Sequence, residues 1–173
     1  GLPAWDGSLD RLFDLQKEVW NYHAHLNATH PYYSAWYTWP FLVRPTWYFF
    51  RHTGDTLRGI IAIGNPAIWW ASVPVTLWAL VTGLRNRDPR RLFAAAGFLM
   101  LYLPWGLSPR TLNYSHYLFE AIPYACLSLG MLLDHYWDGE WGVAARAWLG
   151  VAVALFVLFL PLLMGLSIPS SWF

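Results

Sequence analysis

Arg110, His116, Tyr117 and Glu120 fall within one short stretch of an otherwise apolar region, and each carries different chemistry. A guanidinium matches phosphate oxygens with its fork of N–H donors, while an imidazole or a phenol hydrogen-bonds an anion or a neighbouring loop. The null alternative for Arg110 is an interfacial arginine reaching for water, and for His116 a satisfied histidine inside a bundle. On a helix Glu120 stands at i+4 from His116, so the two share a face. That carboxylate pairs with His116, pairs with an arginine from elsewhere, or does acid–base work. A second group, His30, Tyr32, Ser34 and Trp36, is the densest polar and aromatic cluster outside the apolar runs. It either lines a binding groove or forms a rigid loop whose His and Ser satisfy their own backbone. His23, His25 and His30 lack the spacing of a compact metal motif, so no metal site and no cofactor are expected.

Long apolar runs, the third of which carries Glu120, must position these groups. Four of them, at about 60–84, 92–109, 111–134 and 147–168, approach the roughly 20 residues that cross a hydrocarbon core. The chain has 13 tryptophans, most of them where such runs meet polar segments, and indole rings collect where a bilayer meets water. The expected fold is therefore an all-α membrane protein with four transmembrane helices (59–173), preceded by an outer segment (1–58). Arg85, Arg87, Arg90 and Arg91 crowd the first inter-span loop, and the positive-inside rule makes that loop cytoplasmic. Residues 1–58, the turn at Arg110 and the C-terminus then lie on the outer face. A net charge of +1 offers no basic field for nucleic acid, and Cys126, being alone, forms no internal disulfide. The chain starts at Gly1 without a signal-like run, which suggests part of a longer polypeptide.

The outer segment has two parts. From 8 to 29 apolar residues recur at Leu9, Leu12, Phe13, Val19, Trp20, His23 and Leu26, the spacing of an amphipathic helix with Ser8 as N-cap. Its mixed-sign polar face favours docking on protein over lying on lipid. Pro31, Pro40 and Pro45 then deny a continuous helix, which predicts an ordered aromatic-rich loop. Its aromatics serve either as sugar-stacking faces or as a membrane-interface belt. Asn65-Pro66 reads as a helix start, Pro74, Pro104, Pro123 and Pro161 as kinks inside spans, and Asn27-Ala28-Thr29 as an N-glycosylation pattern.

The ordered set Gln16-Lys17-Glu18, Tyr22-His23, Thr29-His30-Pro31-Tyr32, Trp39-Pro40, Arg44-Pro45, Ile63-Gly64-Asn65-Pro66 with Trp69-Trp70, Tyr102-Leu103-Pro104-Trp105, Arg110 and His116-Tyr117 resembles the C-terminal four-helix region of protein O-mannosyltransferases. Ser115 stands where that family commonly has a tyrosine. The resemblance implies the C-terminal module of a GT-C type glycosyltransferase that moves mannose from a polyprenyl phosphate to Ser or Thr hydroxyls of an acceptor protein. It implies donor or loop binding for Arg110, His116, Tyr117 and Glu120, and acceptor or sugar binding for His30, Tyr32, Ser34 and Trp36. The family's catalytic acid belongs to an N-terminal outer loop that no segment here matches, so no catalytic residue is expected in this chain. The expected partners are membrane lipid, the N-terminal transmembrane part of the enzyme, the lipid donor and the acceptor protein. The missing soluble insertion favours a bacterial plasma membrane over the endoplasmic reticulum. A non-catalytic membrane subunit, or a transferase using another sugar, is the alternative.

Overall fold

The computed structural model describes residues 8–26 and 28–172, so the glycosylation pattern at Asn27 lies outside the described residues. Helix α1 (Leu9–Ala24) begins where Ser8 Oγ accepts a hydrogen bond from the Arg11 N–H at 3.2 Å. None of its residues is buried, so its apolar stripe has no cover within the described residues. The aromatic segment then winds into a short 3-10 helix (Trp36–Phe41) containing Pro40, and buries Trp39 completely.

The all-α expectation is corrected by a three-stranded antiparallel sheet, in the order β1 (Thr46–Thr53), β2 (Thr56–Ala62), β3 (Ser167–Pro169). β-branched and aromatic residues fill β1, and a two-residue turn begins at Gly54, whose φ of 56° is the left-handed conformation that such hairpins place on glycine. The apolar run that suggested a helix from residue 60 starts as β2, because alternation buries Leu57, Gly59 and Ile61 and exposes their neighbours. Pairing of β3 with β2, from Thr56↔Pro169 to Arg58↔Ser167, brings the chain's end back to the strand that leads into the next helix.

That helix, α2 (Pro66–Asn86), starts at the Asn-Pro pair. Asn65 Oδ1 accepts from the Ala67 N–H at 3.0 Å while its Nδ2 donates to the Ala152 carbonyl at 2.7 Å, so one residue caps a helix and clamps two together. Gly64 is required beside it, since a Cβ there would run into the Trp69 indole. Asn65→Ala should lower unfolding stability by about 2 kcal/mol, roughly half from the lost cap and half from the lost hydrogen bond to α5. Asn65→Ser, which keeps the cap alone, should fall midway in thermal melts.

Helix α3 (Pro89–Tyr102) is capped by Asp88, α4 runs Ile122–Tyr136 and α5 Gly142–Met164. Pro74 and Pro161 lie inside α2 and α5, but Pro104 opens a 3-10 turn (Leu103–Gly106) and Pro123 sits in the first turn of α4, where a missing N–H costs nothing. Residues 107–121, expected within two spans, are instead a loop and a second 3-10 helix (Ser115–Glu120). Among the described residues α2 and α5 are the two helices long and apolar enough to cross a membrane. The core joins Trp39, Trp69, Phe98, Tyr102 and Leu118 directly beneath that loop.

Candidate functional site

Prolines at 104 and 109 stop α3 from continuing and force the chain to turn, which brings Arg110 back over the end of the bundle. The turn is locally tied: the Arg110 N–H donates to Ser108 Oγ at 3.3 Å, and Asn113 Nδ2 donates to the Arg110 carbonyl at 3.0 Å. The guanidinium then bridges two distant elements. Its Nη1 lies 3.2 Å from His23 Nδ1 on α1, and its Nη2 donates to the Tyr117 hydroxyl at 3.1 Å. An arginine can donate but not accept, so His23 accepts through an unprotonated Nδ1. Tyr117 is fixed in turn by stacking on Trp105, with ring centroids 4.7 Å apart and planes at 19°, and by the edge of Trp39 at 6.0 Å.

Arg110 and Tyr117 also line an open groove of about 1130 Å³. Its lining is otherwise mostly apolar, with Trp20 of α1, Leu99, Leu103 and Trp105, and its polar side chains include His23 and Glu120. An apolar groove that holds a guanidinium has the chemistry of a site for an amphiphile with an anionic head.

Arg110, Tyr117 and Glu120 thus meet at one groove. His116 meets Tyr117 edge-on at 4.9 Å but does not line the groove. In a 3-10 helix three residues make a turn, so positions four apart diverge by about 120° and Glu120 does not sit over His116. His116 instead stacks on Tyr114 (5.3 Å, 12°), approaches Tyr48 at 5.8 Å and has its Nδ1 3.4 Å from Thr46 Oγ1, so it faces β1. His30 reaches the same aromatic row edge-on to Tyr114 at 5.6 Å, and its Nδ1 accepts from the Tyr32 N–H at 3.2 Å. Ser34 is buried, with its N–H bonded to the Asn113 carbonyl at 3.0 Å and its own carbonyl accepting from Trp39 Nε1 at 3.1 Å. Trp36 packs on Tyr102, whose hydroxyl donates to the Trp36 carbonyl at 3.1 Å. Ser34 therefore braces the loop from within, Tyr32 and Trp36 are half-buried, and His30 is exposed.

Sequence reasoning missed Trp20, His23, Trp105 and Asn113. For Trp20 and His23 a signal existed, since both stand on the stripe of α1 and carry groups that hydrogen-bond. Among the described residues Arg110 Nε, Asn113 Oδ1 and Ser34 Oγ are buried without a hydrogen-bond partner. No group of three His, Cys, Asp or Glu among those residues is arranged to hold a metal ion.

Burial holds the His116 imidazole below its usual pKa of about 6.5, because the charged form loses solvation. Burial raises the Tyr117 phenol despite the opposing pull of Arg110, so it stays a neutral hydroxyl. With a lowered native pKa, His116 binds its proton later in the native state than in the unfolded chain as pH falls. Its contribution to stability is therefore complete above about 6.5 and lost as pH drops through the native pKa. His116→Asn should flatten the dependence of melting temperature on pH below about 6.5, and an unchanged slope would assign that dependence elsewhere.

Residues 8–173 match the model of the C-terminal four TMM region of protein-O-mannosyltransferase. The polyprenol-phosphate-mannose–protein mannosyltransferase of Corynebacterium glutamicum is 28% identical, with the match covering 88% of this chain and 33% of that protein. Its namesake from Mycobacterium tuberculosis is 24% identical over 99% of this chain and 38% of its own length. The chain thus spans about a third of the length of these curated relatives. A solved structure of the Saccharomyces cerevisiae protein O-mannosyltransferase Pmt1–Pmt2 complex bound to the sugar donor shares the fold, with a TM-score of 0.75 at 22% identity over 95% of this chain and 25% of that one. The arrangement of short helices around an aromatic loop and the match over nearly every residue lead to one conclusion: this chain belongs to the family of the C-terminal four TMM region of protein-O-mannosyltransferase.

Proposed function

We propose that this chain is the C-terminal membrane module of an enzyme that transfers mannose from polyprenyl phosphate mannose to Ser or Thr hydroxyls of proteins. The observation that carries the proposal is the largely apolar groove lined by Arg110, whose guanidinium is held between His23 and Tyr117. In that groove the donor's isoprenoid chain lies against Leu99 and Leu103 and its phosphate meets the guanidinium. The acceptor oxygen attacks the anomeric carbon, the bond to the phosphate oxygen breaks, and Arg110 stabilises the charge that develops on the leaving phosphate. The base that takes the hydroxyl proton comes from the N-terminal part of the same enzyme. Glu120 tunes the groove by its charge, and His30 and Tyr32 border the acceptor's path.

All four helices α2 to α5 embed in the bilayer, with the Arg85–Arg91 turn cytoplasmic and the sheet and groove outside. At 14 residues α3 is about 21 Å long, short of the roughly 30 Å core, so the chain turns to Arg110 near the level of outer-leaflet headgroups. The bacterial relatives support a plasma-membrane location.

The test is transfer of radiolabelled mannose from polyprenyl phosphate mannose to a Ser/Thr peptide by membranes containing the full-length protein. Glu120→Gln should cut the rate about tenfold, and Glu140→Gln, in the turn between α4 and α5, should leave it unchanged. No transfer by the unaltered protein would refute the proposal and favour a non-catalytic subunit; equal rates for the two variants would remove Glu120 from the site.

A further inference from the structure

β1 has β2 on one side, and among the described residues no strand pairs with its other edge. Natural edge strands are usually kept short or blunted with charged residues, Pro or a bulge. β1 runs eight residues, Thr46–Thr53, and carries a bulge between Trp47 and Phe49 and one charge, Arg51, but its regular stretch from Phe49 to Thr53 is exposed and has no Lys or Pro. Its outward hydrogen-bonding groups follow from the register. The two-residue turn makes Thr53 and Thr56 the hydrogen-bonded closing pair, and alternation along the ladder then turns the main-chain N–H and C=O of His52 and Phe50 away from β2. This edge leads toward the site, since Thr46 and Tyr48 both contact His116, whose ring meets that of Tyr117 edge-on at 4.9 Å, and Phe50 is about 7 Å beyond Tyr48 at the rise of a strand.

We propose that an extended segment of the acceptor polypeptide adds to β1 as a further strand, held through the main chain of Phe50 and His52, and runs past Tyr48 toward His116. The inference rests on the transferase reading and specifies how its protein substrate is held. A row of alternating donors and acceptors at strand spacing is complementary to another extended main chain, which neither a lipid nor a sugar reproduces. Recognition of this kind accepts many sequences and delivers every second side chain to the same face, so a Ser or Thr hydroxyl can be presented with little demand on its neighbours.

The experiment measures acceptor and donor KM for the full-length enzyme and for His52→Pro and His52→Ala. Proline removes an N–H that β2 does not use, a change that edge strands tolerate. Acceptor KM should rise about tenfold in His52→Pro and stay within about twofold in His52→Ala, with donor KM unchanged in both. An unchanged acceptor KM overturns the proposal. So does loss of the folded protein or of donor affinity in His52→Pro, since the edge would then be covered by another part of the enzyme. A second readout uses the unaltered enzyme with acceptor peptides N-methylated one residue at a time. Loss of affinity at alternate positions supports strand addition, and uniform or absent loss overturns it. If no peptide is mannosylated at all, the transferase reading itself fails and the acceptor strand with it.

Discussion

Arg110→Ala in the full-length protein should lower mannose transfer by about 100-fold, equivalent to roughly 2.7 kcal/mol of transition-state stabilisation. Its guanidinium is a cation lining the groove, and it also joins α1 to the 3-10 helix through His23 and Tyr117. Arg110→Lys should recover little, because an ammonium supplies a point charge where a fork of donors must reach two partners and a phosphate. Tyr117→Phe removes only the hydroxyl that positions the guanidinium, so a fall of about tenfold is expected. Rates at varied donor concentration, read beside thermal melts, separate the roles. A purely structural Arg110 would shift the melting temperature and leave the rate of the folded fraction intact. Activity of Arg110→Ala within about threefold of the unaltered enzyme would remove it from the donor site.

Trp39→Ala should cost about 3–5 kcal/mol of stability, a large share of what holds any domain together. The indole is fully buried and touches Tyr102, Trp105 and Tyr117 with ring edges, while its Nε1 donates to the Ser34 carbonyl. Removing it leaves a cavity under the loop that carries Arg110 and strands a buried carbonyl. Trp39→Phe fills most of the volume but cannot donate, so a loss of about 1 kcal/mol plus an incomplete fit is expected. Thermal unfolding of the detergent-solubilised protein checks both. A melting temperature for Trp39→Ala equal to that of the unaltered protein would mean that the loop is held from elsewhere.

The starts of α1 and α2 were legible because their boundary residues act locally. Asn65 and Pro66 start α2 through their own side-chain chemistry, and Ser8 starts α1 in the same way. The hairpin was not legible. The apolar residues Ile60, Ile61, Ala62 and Ile63 fit a span as well as a strand, since a short apolar run has no period of its own. Only Gly54 in its left-handed conformation and the return of β3 decide for the sheet.

For the site the division is sharper. The residue types placed a guanidinium, an imidazole and a carboxylate close together in an apolar region, and the ordered motifs pointed to the family. Tertiary structure decided which of these residues meet. His23 and Arg110 are 87 positions apart and become partners only because α1 folds back over the turn after α3. His116 and Glu120 are near in sequence yet face different surroundings, because the segment winds three residues per turn rather than 3.6. Contacts within a turn follow from local backbone preference, which the sequence carries directly. Contacts between elements follow from how buried surfaces fit, here around Trp39, and that fit is a property of the whole fold.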